Sequence, residues 1–305
     1  MAKHQVEHFG LRRKIVANMT TESWETIPHA GSNYEPDVTD FWETYQALRK
    51  NDPRWAGVTF NTLMLYVITQ GLIACPAMNG HIHFRRESAN GRLEQREAID
   101  ISMPMNLPEG GMMTINMHGC EAKSLRQMAD AMEDIRRRMA NTNLEYAMYE
   151  AALENTLRLL RQGKVYRIAR RLYGNTVGKG KMVRLKGQAK REYLAIPETE
   201  RLTKRDIEQG SITVSNLGSV YRGGAYAPPV MLEIIPPQVC VIGIGALAER
   251  PGVVVTGDKT KAIAPRQFLP VSLMFDHRAL DYADLVPFMR RLDEIFAEPS
   301  VMQGW

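Results

Sequence analysis

From about Leu11 to Glu25 the apolar positions Ile15, Met19 and Trp24 recur at helical spacing. Ile27-Pro28-His29 ends that run, because a proline holds the residue before it away from the helical region. Asp37 to Arg49 predicts a second helix with Val38, Phe41, Trp42, Tyr45 and Leu48 on one side, closed by the turn Asn51-Asp52-Pro53. A third helix, about Asn61 to Ala74, is apolar all round and is expected to be buried. The period then shortens to two. His81 to Arg85, Ala98 to Asn106 and Met112 to His118 predict strands, the last two joined by the loop Leu107 to Gly111. Helical spacing returns from Ser124 to Ala140, with Leu125, Met128, Met132, Ile135 and Met139 facing inward and Arg136 to Arg138 outward. Strands at Ser211 to Ser215, Val239 to Gly243 and Leu269 to Phe275 follow, and a helix from Ala283 to Phe296 closes the chain. The mixture predicts an α/β sandwich, of α+β type, with a mixed sheet.

Between these ordered stretches, about 144–203 reads as an insertion: a basic amphipathic helix or helix pair, then a segment made loop-rich by Gly174, Gly178, Gly180 and Gly187. Asn155 to Arg191 holds twelve Lys and Arg and no Asp or Glu, which accounts for the net charge of +5. The excess is local, and no aromatic stacking platform accompanies it, so nucleic acid is not an expected partner. A solvated face, a clamp for phosphates or an acidic partner, and a membrane-surface helix all remain readings of the insertion. Cys75, Cys120 and Cys240 are too few and too scattered for a disulfide framework or a zinc motif. The front of the chain lacks the apolar core of a secretory signal, and Thr62 to Cys75 falls short of a membrane span. A cytoplasmic setting is expected.

The most informative segment for chemistry is Leu269 to Asp281. An apolar strand delivers Asp276, His277 and Arg278 at its end, and Asp281 follows four residues after the histidine. Charged groups where a buried strand emerges are costly unless paired. Imidazole suits proton transfer near neutrality, so either a salt-bridged turn or a general base fits these residues.

Phe275-Asp276-His277-Arg278-Ala279-Leu280-Asp281 resembles the DHRxxDG signature of dihydrolipoamide acyltransferases of 2-oxo acid dehydrogenase complexes. It is also similar to the HHxxxDG signature of chloramphenicol acetyltransferases. Other pieces match in the same order: Arg13 to Met19 with Ile27-Pro28-His29, then Ser211 to Gly218, resembling (T/S)FTISNLG. Pro236-Pro237-Gln238-Val239 with Ile242 to Gly245 resembles the family's PPQ strand. The resemblance covers Arg12 to Asn141 and Gly210 to Pro299 and leaves out the insertion.

The resemblance implies a chloramphenicol acetyltransferase-like, CoA-dependent acyltransferase fold. It implies direct acyl transfer between coenzyme A and a thiol, hydroxyl or amine, with His277 as general base, Ser215 as oxyanion donor and Asp281 organising the site. Coenzyme A enters as substrate, no tightly bound cofactor or metal is expected, and the residues that hold it are not identified. Trimers, with the site between subunits, or larger cages are the implied assembly. Residues 1–305 are expected to form one catalytic domain without a lipoyl or subunit-binding domain. The acceptor is then a small molecule or a separately encoded lipoyl protein. The alternative is a non-catalytic scaffold related to the same core.

One position departs from the signature: its final glycine is Tyr282, so a changed turn or a ring beside the site is expected. Weaker candidates fall away. Gly243 to Ala248 imitates GxGxxA, but Glu249 to Gly252 follows where a dinucleotide fold needs a helix. His81 and His83 share a strand face without a third ligand and are read as exposed. The run Met103, Met105, Met112, Met113 and Met117 reads as sheet packing.

Overall fold

The structure is a computed structural model that describes residues 6, 8–107, 111–148, 185–219 and 231–305. Most of the basic insertion, 149–184, lies outside the described residues. The chain divides into two compact units, one of 1–22 with 133–208, the other of 23–132 with 209–305.

The larger unit is built on a six-stranded mixed sheet. Its strands are β1 (His29–Tyr34), β4 (Ile101–Asn106), β5 (Met112–Met117), β6 (Ile212–Asn216), β7 (Cys240–Ile244) and β10 (Val271–Asp276), in the order β1-β10-β7-β6-β4-β5. The contacts of β6 with β4 and with β7 are parallel, the others antiparallel. Two hairpins stand beside it, β2 (Gly80–Arg85) with β3 (Asn90–Gln95), and β8 (Ala248–Val255) with β9 (Lys261–Phe268). Every residue of β7 and of β10 is buried. That explains why apolar residues predominate without alternation, since a strand covered on both faces has no solvent side; Ser272 and Asp276 are the buried polar exceptions in β10.

Helices α2 (Thr39–Asn51), α3 (Phe60–Ala74) and the C-terminal helix Val286–Ala297 belong to the same unit. Thr59 caps α3 by accepting the Thr62 N–H at 3.2 Å, and nine of its fifteen residues are buried. The predicted inward face of α2 is confirmed at Val38, Phe41 and Tyr45, all 2% exposed or less. Helix α4 (Leu125–Ala140) buries all five predicted inward residues.

In α1 (Leu11–Thr26), Trp24 is half exposed and stacks on His29 at 4.6 Å. Two expectations need correction. Arg138 does not point outward with its neighbours: both Asp206 carboxylate oxygens accept from its guanidinium at 3.0 Å. Of the methionine run, Met103, Met113 and Met117 are core residues, whereas Met112 is exposed at a β5 position that alternates outward.

Candidate active site

The signature loop is held from three sides. Antiparallel pairing of β1 with β10 sets His29 opposite Asp276, and the His277 N–H donates to the Pro28 carbonyl at 3.1 Å. The Asp276 N–H donates to the Val239 carbonyl at 2.8 Å. Ile27-Pro28-His29, Gln238-Val239 and Asp276-His277, remote in sequence, therefore meet at one end of the sheet. Gln238 is fully buried; its amide donates to the Gly210 carbonyl and accepts from the Thr213 hydroxyl. His29 is structural. Its Nδ1 lies 2.9 Å from the Ile27 carbonyl, and its Nε2 accepts the Ile234 N–H at 3.1 Å.

Inside the loop the charges separate by burial. Asp276 is completely buried and takes a bidentate grip from Arg278, at 2.9 and 2.6 Å. Arg278 in turn lies over the Phe84 ring at 5.5 Å. His277 and Asp281 point the other way. Their side chains are 55% and 77% exposed, and His277 Nδ1 stands 3.3 Å from an Asp281 oxygen. Asp281 also caps the turn Tyr282–Leu285, whose Asp284 accepts the Asp281 N–H at 2.7 Å. Asp276 and Arg278 thus build the loop, and His277 with Asp281 is the pair left free to meet a reactant.

Ser215 lies elsewhere on the sheet. It is buried, second to last in β6, and pairs with Gly243, which pairs with Ser272 of β10. Asn216 beside it donates to Asn61 at the start of α3 at 2.7 Å. Gly218 is required by close approach, since a Cβ there would stand 2.4 Å from the Gly245 carbonyl. His277 is five residues beyond the Ser272 row and two strands across. At about 3.3 Å per residue and 4.8 Å per strand, Ser215 and His277 of one chain are on the order of 20 Å apart. One chain does not bring the two together.

The 2-oxoacid dehydrogenase acyltransferase catalytic-domain model matches residues 2–152 and 187–303. The chain belongs to that family. The match passes over 153–186, within the region read as an insertion. A lipoamide acyltransferase component of the branched-chain α-keto acid dehydrogenase complex of Caenorhabditis elegans is 25% identical over 295 residues, 96% of this chain and 49% of that protein. The chain therefore spans about half the length of that relative. A probable dihydrolipoamide acetyltransferase from Listeria monocytogenes has the same fold, with a TM-score of 0.63 at 17% identity over 97% of this chain and 95% of that one. The dihydrolipoamide acetyltransferase of Azotobacter vinelandii gives 0.59 at 19% identity, covering 97% and 92%. The solved structure of that enzyme addressed the catalytic role of a serine, a histidine and an asparagine four residues beyond the histidine.

The departure from the signature is accommodated without strain. Tyr282 opens the 3-10 turn and is not among the residues of positive φ, so a glycine is not needed there. The cysteines are unsuited to nucleophilic work. Burial pushes the Cys120 thiol up to about 12, and burial also raises Cys75 and Cys240. The GxGxxA look-alike leads into β8, a strand, which removes a dinucleotide turn. His83 is exposed and 3.4 Å from Glu94, as expected. His81 is not exposed: it is half-buried, and its Nε2 is enclosed without a hydrogen-bond partner. Among the described residues no group of three or more His, Cys, Asp or Glu could hold a metal, and no helix is long and apolar enough to cross a membrane.

Several features escaped sequence reading, among them strands β1 and β3. The buried Asp276–Arg278 pair looked equivalent to the exposed dyad, because burial within a five-residue stretch is not a periodic signal. The β8–β9 hairpin was also missed, although Val253, Val254 and Val255 before Thr256-Gly257-Asp258 carried a strand-and-turn signal.

Proposed function

We propose that this chain is the catalytic part of an acyltransferase that moves an acyl group between coenzyme A and a dithiol of the lipoyl type. It works as a homotrimer or larger assembly whose site lies between copies. The observation that carries this reading is the placement of the exposed His277–Asp281 dyad and of Ser215 at opposite ends of one sheet. Each occupies its position in the family's motifs, and a second copy is needed to complete the site.

The chemistry follows from the two ends. Asp281 at Nδ1 orients the ring and leaves Nε2 to accept a proton. The acceptor thiol attacks the thioester carbonyl carbon while its proton passes to Nε2 of His277. The resulting oxyanion accepts a hydrogen bond from the hydroxyl of Ser215 of the partner subunit. Collapse expels the coenzyme A thiolate, which takes the proton back from His277. No covalent enzyme intermediate is required.

The β8–β9 hairpin supplies a surface for self-association. Val253, Val255 and Ile263 are 68%, 67% and 78% exposed, and Val253 pairs directly with Ile263. Such a two-stranded ribbon is marginal in water and gains stability when an apolar face is covered. It leaves the sheet at the Ser215 end, where Gly245 donates to the Pro270 carbonyl.

The test is to incubate the protein with acyl-CoA and dihydrolipoamide and follow free thiol. His277→Ala is expected to lower turnover by about 10²–10⁴-fold. Turnover unaffected by that substitution defeats the mechanism, and absence of turnover with any acyl-CoA leaves the scaffold role.

A further inference from the structure

The signature loop carries one large side chain that neither the fold nor the chemistry above employs. Tyr282 stands where the family signature has glycine, and it is 53% exposed. Its backbone is fixed by the reciprocal cap of Asp281 and Asp284. Its hydroxyl reaches the sulfur of Met289 at 4.0 Å, a weak acceptor that gives the fold little. Burial along the loop sorts the residues into two sets. Asp276, Leu280 and Leu285 are buried, whereas His277, Asp281 and Tyr282 face solvent. Adjacent Cα atoms are about 3.8 Å apart, so the tyrosine side chain begins next to the carboxylate that holds His277.

In a direct transfer the base touches the reactant that loses a proton, and the oxyanion donor touches the acyl carbonyl. Side chains beside His277 therefore meet the carbon chain that bears the acceptor thiol. We propose that Tyr282, backed by Met289, is a specificity-determining residue that forms an apolar wall for the hydrocarbon arm of the acceptor. A tyrosine ring offers a rigid apolar body with a polar tip, and methionine adapts to what lies against it. Glycine offers no such contact. The site thus favours thiols carried on an aliphatic arm over short polar thiols. This inference rests on the acyl-transfer reading.

The experiment varies the acceptor at saturating acyl-CoA, comparing dihydrolipoamide with dithiothreitol, a short polar dithiol. Tyr282→Ala is expected to raise KM for dihydrolipoamide roughly tenfold, equivalent to about 1.4 kcal/mol. KM for dithiothreitol and for acyl-CoA should stay within about twofold, as should kcat, on that same scale. Tyr282→Phe and Tyr282→Leu, which keep an apolar body, should behave as wild type. If the alanine variant fails to fold or assemble, Tyr282→Gln against Tyr282→Leu gives the same contrast. An unchanged ratio of the two acceptor KM values overturns the role of Tyr282, whether both are unmoved or both rise together. Wild-type protein without turnover, or full activity in His277→Ala, removes the acyl-transfer reading itself.

Discussion

The two ends of the central sheet are built on different principles. At the His277 end, polar groups are tied to one another. Asp276 is gripped by Arg278, His277 is docked on Pro28, and Gln238 is bonded on both sides of its amide. At the Ser215 end, the chain leaves the sheet as a hairpin whose base is tied by Arg250 to Glu35 and by Arg266 to Asp37, but which holds Val253, Val255 and Ile263 in solvent. The first end is finished within one chain, and the second is not. On the function proposed above, a pair split between these two ends works only when copies meet. The contrast identifies which end each substitution should disable.

The sharpest way to break it is complementation. Ser215→Ala is expected to cost about 10²–10³-fold and His277→Ala about 10²–10⁴-fold when each is assembled alone. Mixed assemblies of the two variants should recover activity, because some interfaces then pair an intact Ser215 with an intact His277. Mixtures no more active than the parents would mean that both groups act within one chain.

The next test addresses the unfinished end. Val253→Glu combined with Ile263→Glu places like charges opposite each other on the exposed ribbon face, which disfavours both the pairing and any apolar cover. Sedimentation should show smaller species, and turnover should fall towards that of the single-site variants. An assembly of unaltered size would exclude this face as the contact.

Much of this division was visible in the chain, though unevenly. The ordered motifs identified β6, β7 and β10 and the residues that end them, because their apolar runs and adjoining polar groups are local. The inward faces of α2 and α4 were legible for the same reason. What sequence could not convey is distance. In the sequence Ser215 and His277 are equally part of one set of motifs, but the register places Gly243 level with Ser272 and leaves His277 beyond it. Burial of single polar residues was equally hidden. Asp276 and Asp281 are alike in type, yet one is enclosed and the other exposed, and only the packing of β1, β7 and β10 separates them.

At the finished end, Arg278→Ala tests whether the ion pair is structural. Removing the guanidinium leaves the fully buried Asp276 carboxylate uncompensated, which typically destabilises by about 3–5 kcal/mol. The denaturant midpoint should fall accordingly, and Arg278→Lys should recover only part of the loss because it cannot reproduce the bidentate contact. A loss of unfolding free energy under about 1 kcal/mol would place this pair with exposed ion pairs of little consequence.

The smallest expected effect concerns His81, which borders the same end through its bridge to Gln238. Burial holds its pKa below the ordinary imidazole value, assisted by the Arg96 guanidinium, while the Gly210 backbone and Glu94 oppose the shift. A histidine with a depressed folded pKa binds fewer protons in the native state than in the unfolded chain. Its contribution is therefore fully present above the unfolded value of about 6.5 and is lost as pH falls through the folded one. Urea midpoints measured between pH 7.5 and 5 should decline in the wild type across that window. They should decline less in His81→Gln, which has no proton to gain. The Ser215 end has no corresponding buried histidine among the described residues, so substitutions there should leave this pH slope unchanged. An identical slope in His81→Gln would mean that the enclosed Nε2 is hydrated in solution and that this end is less tightly closed than its hydrogen bonds imply.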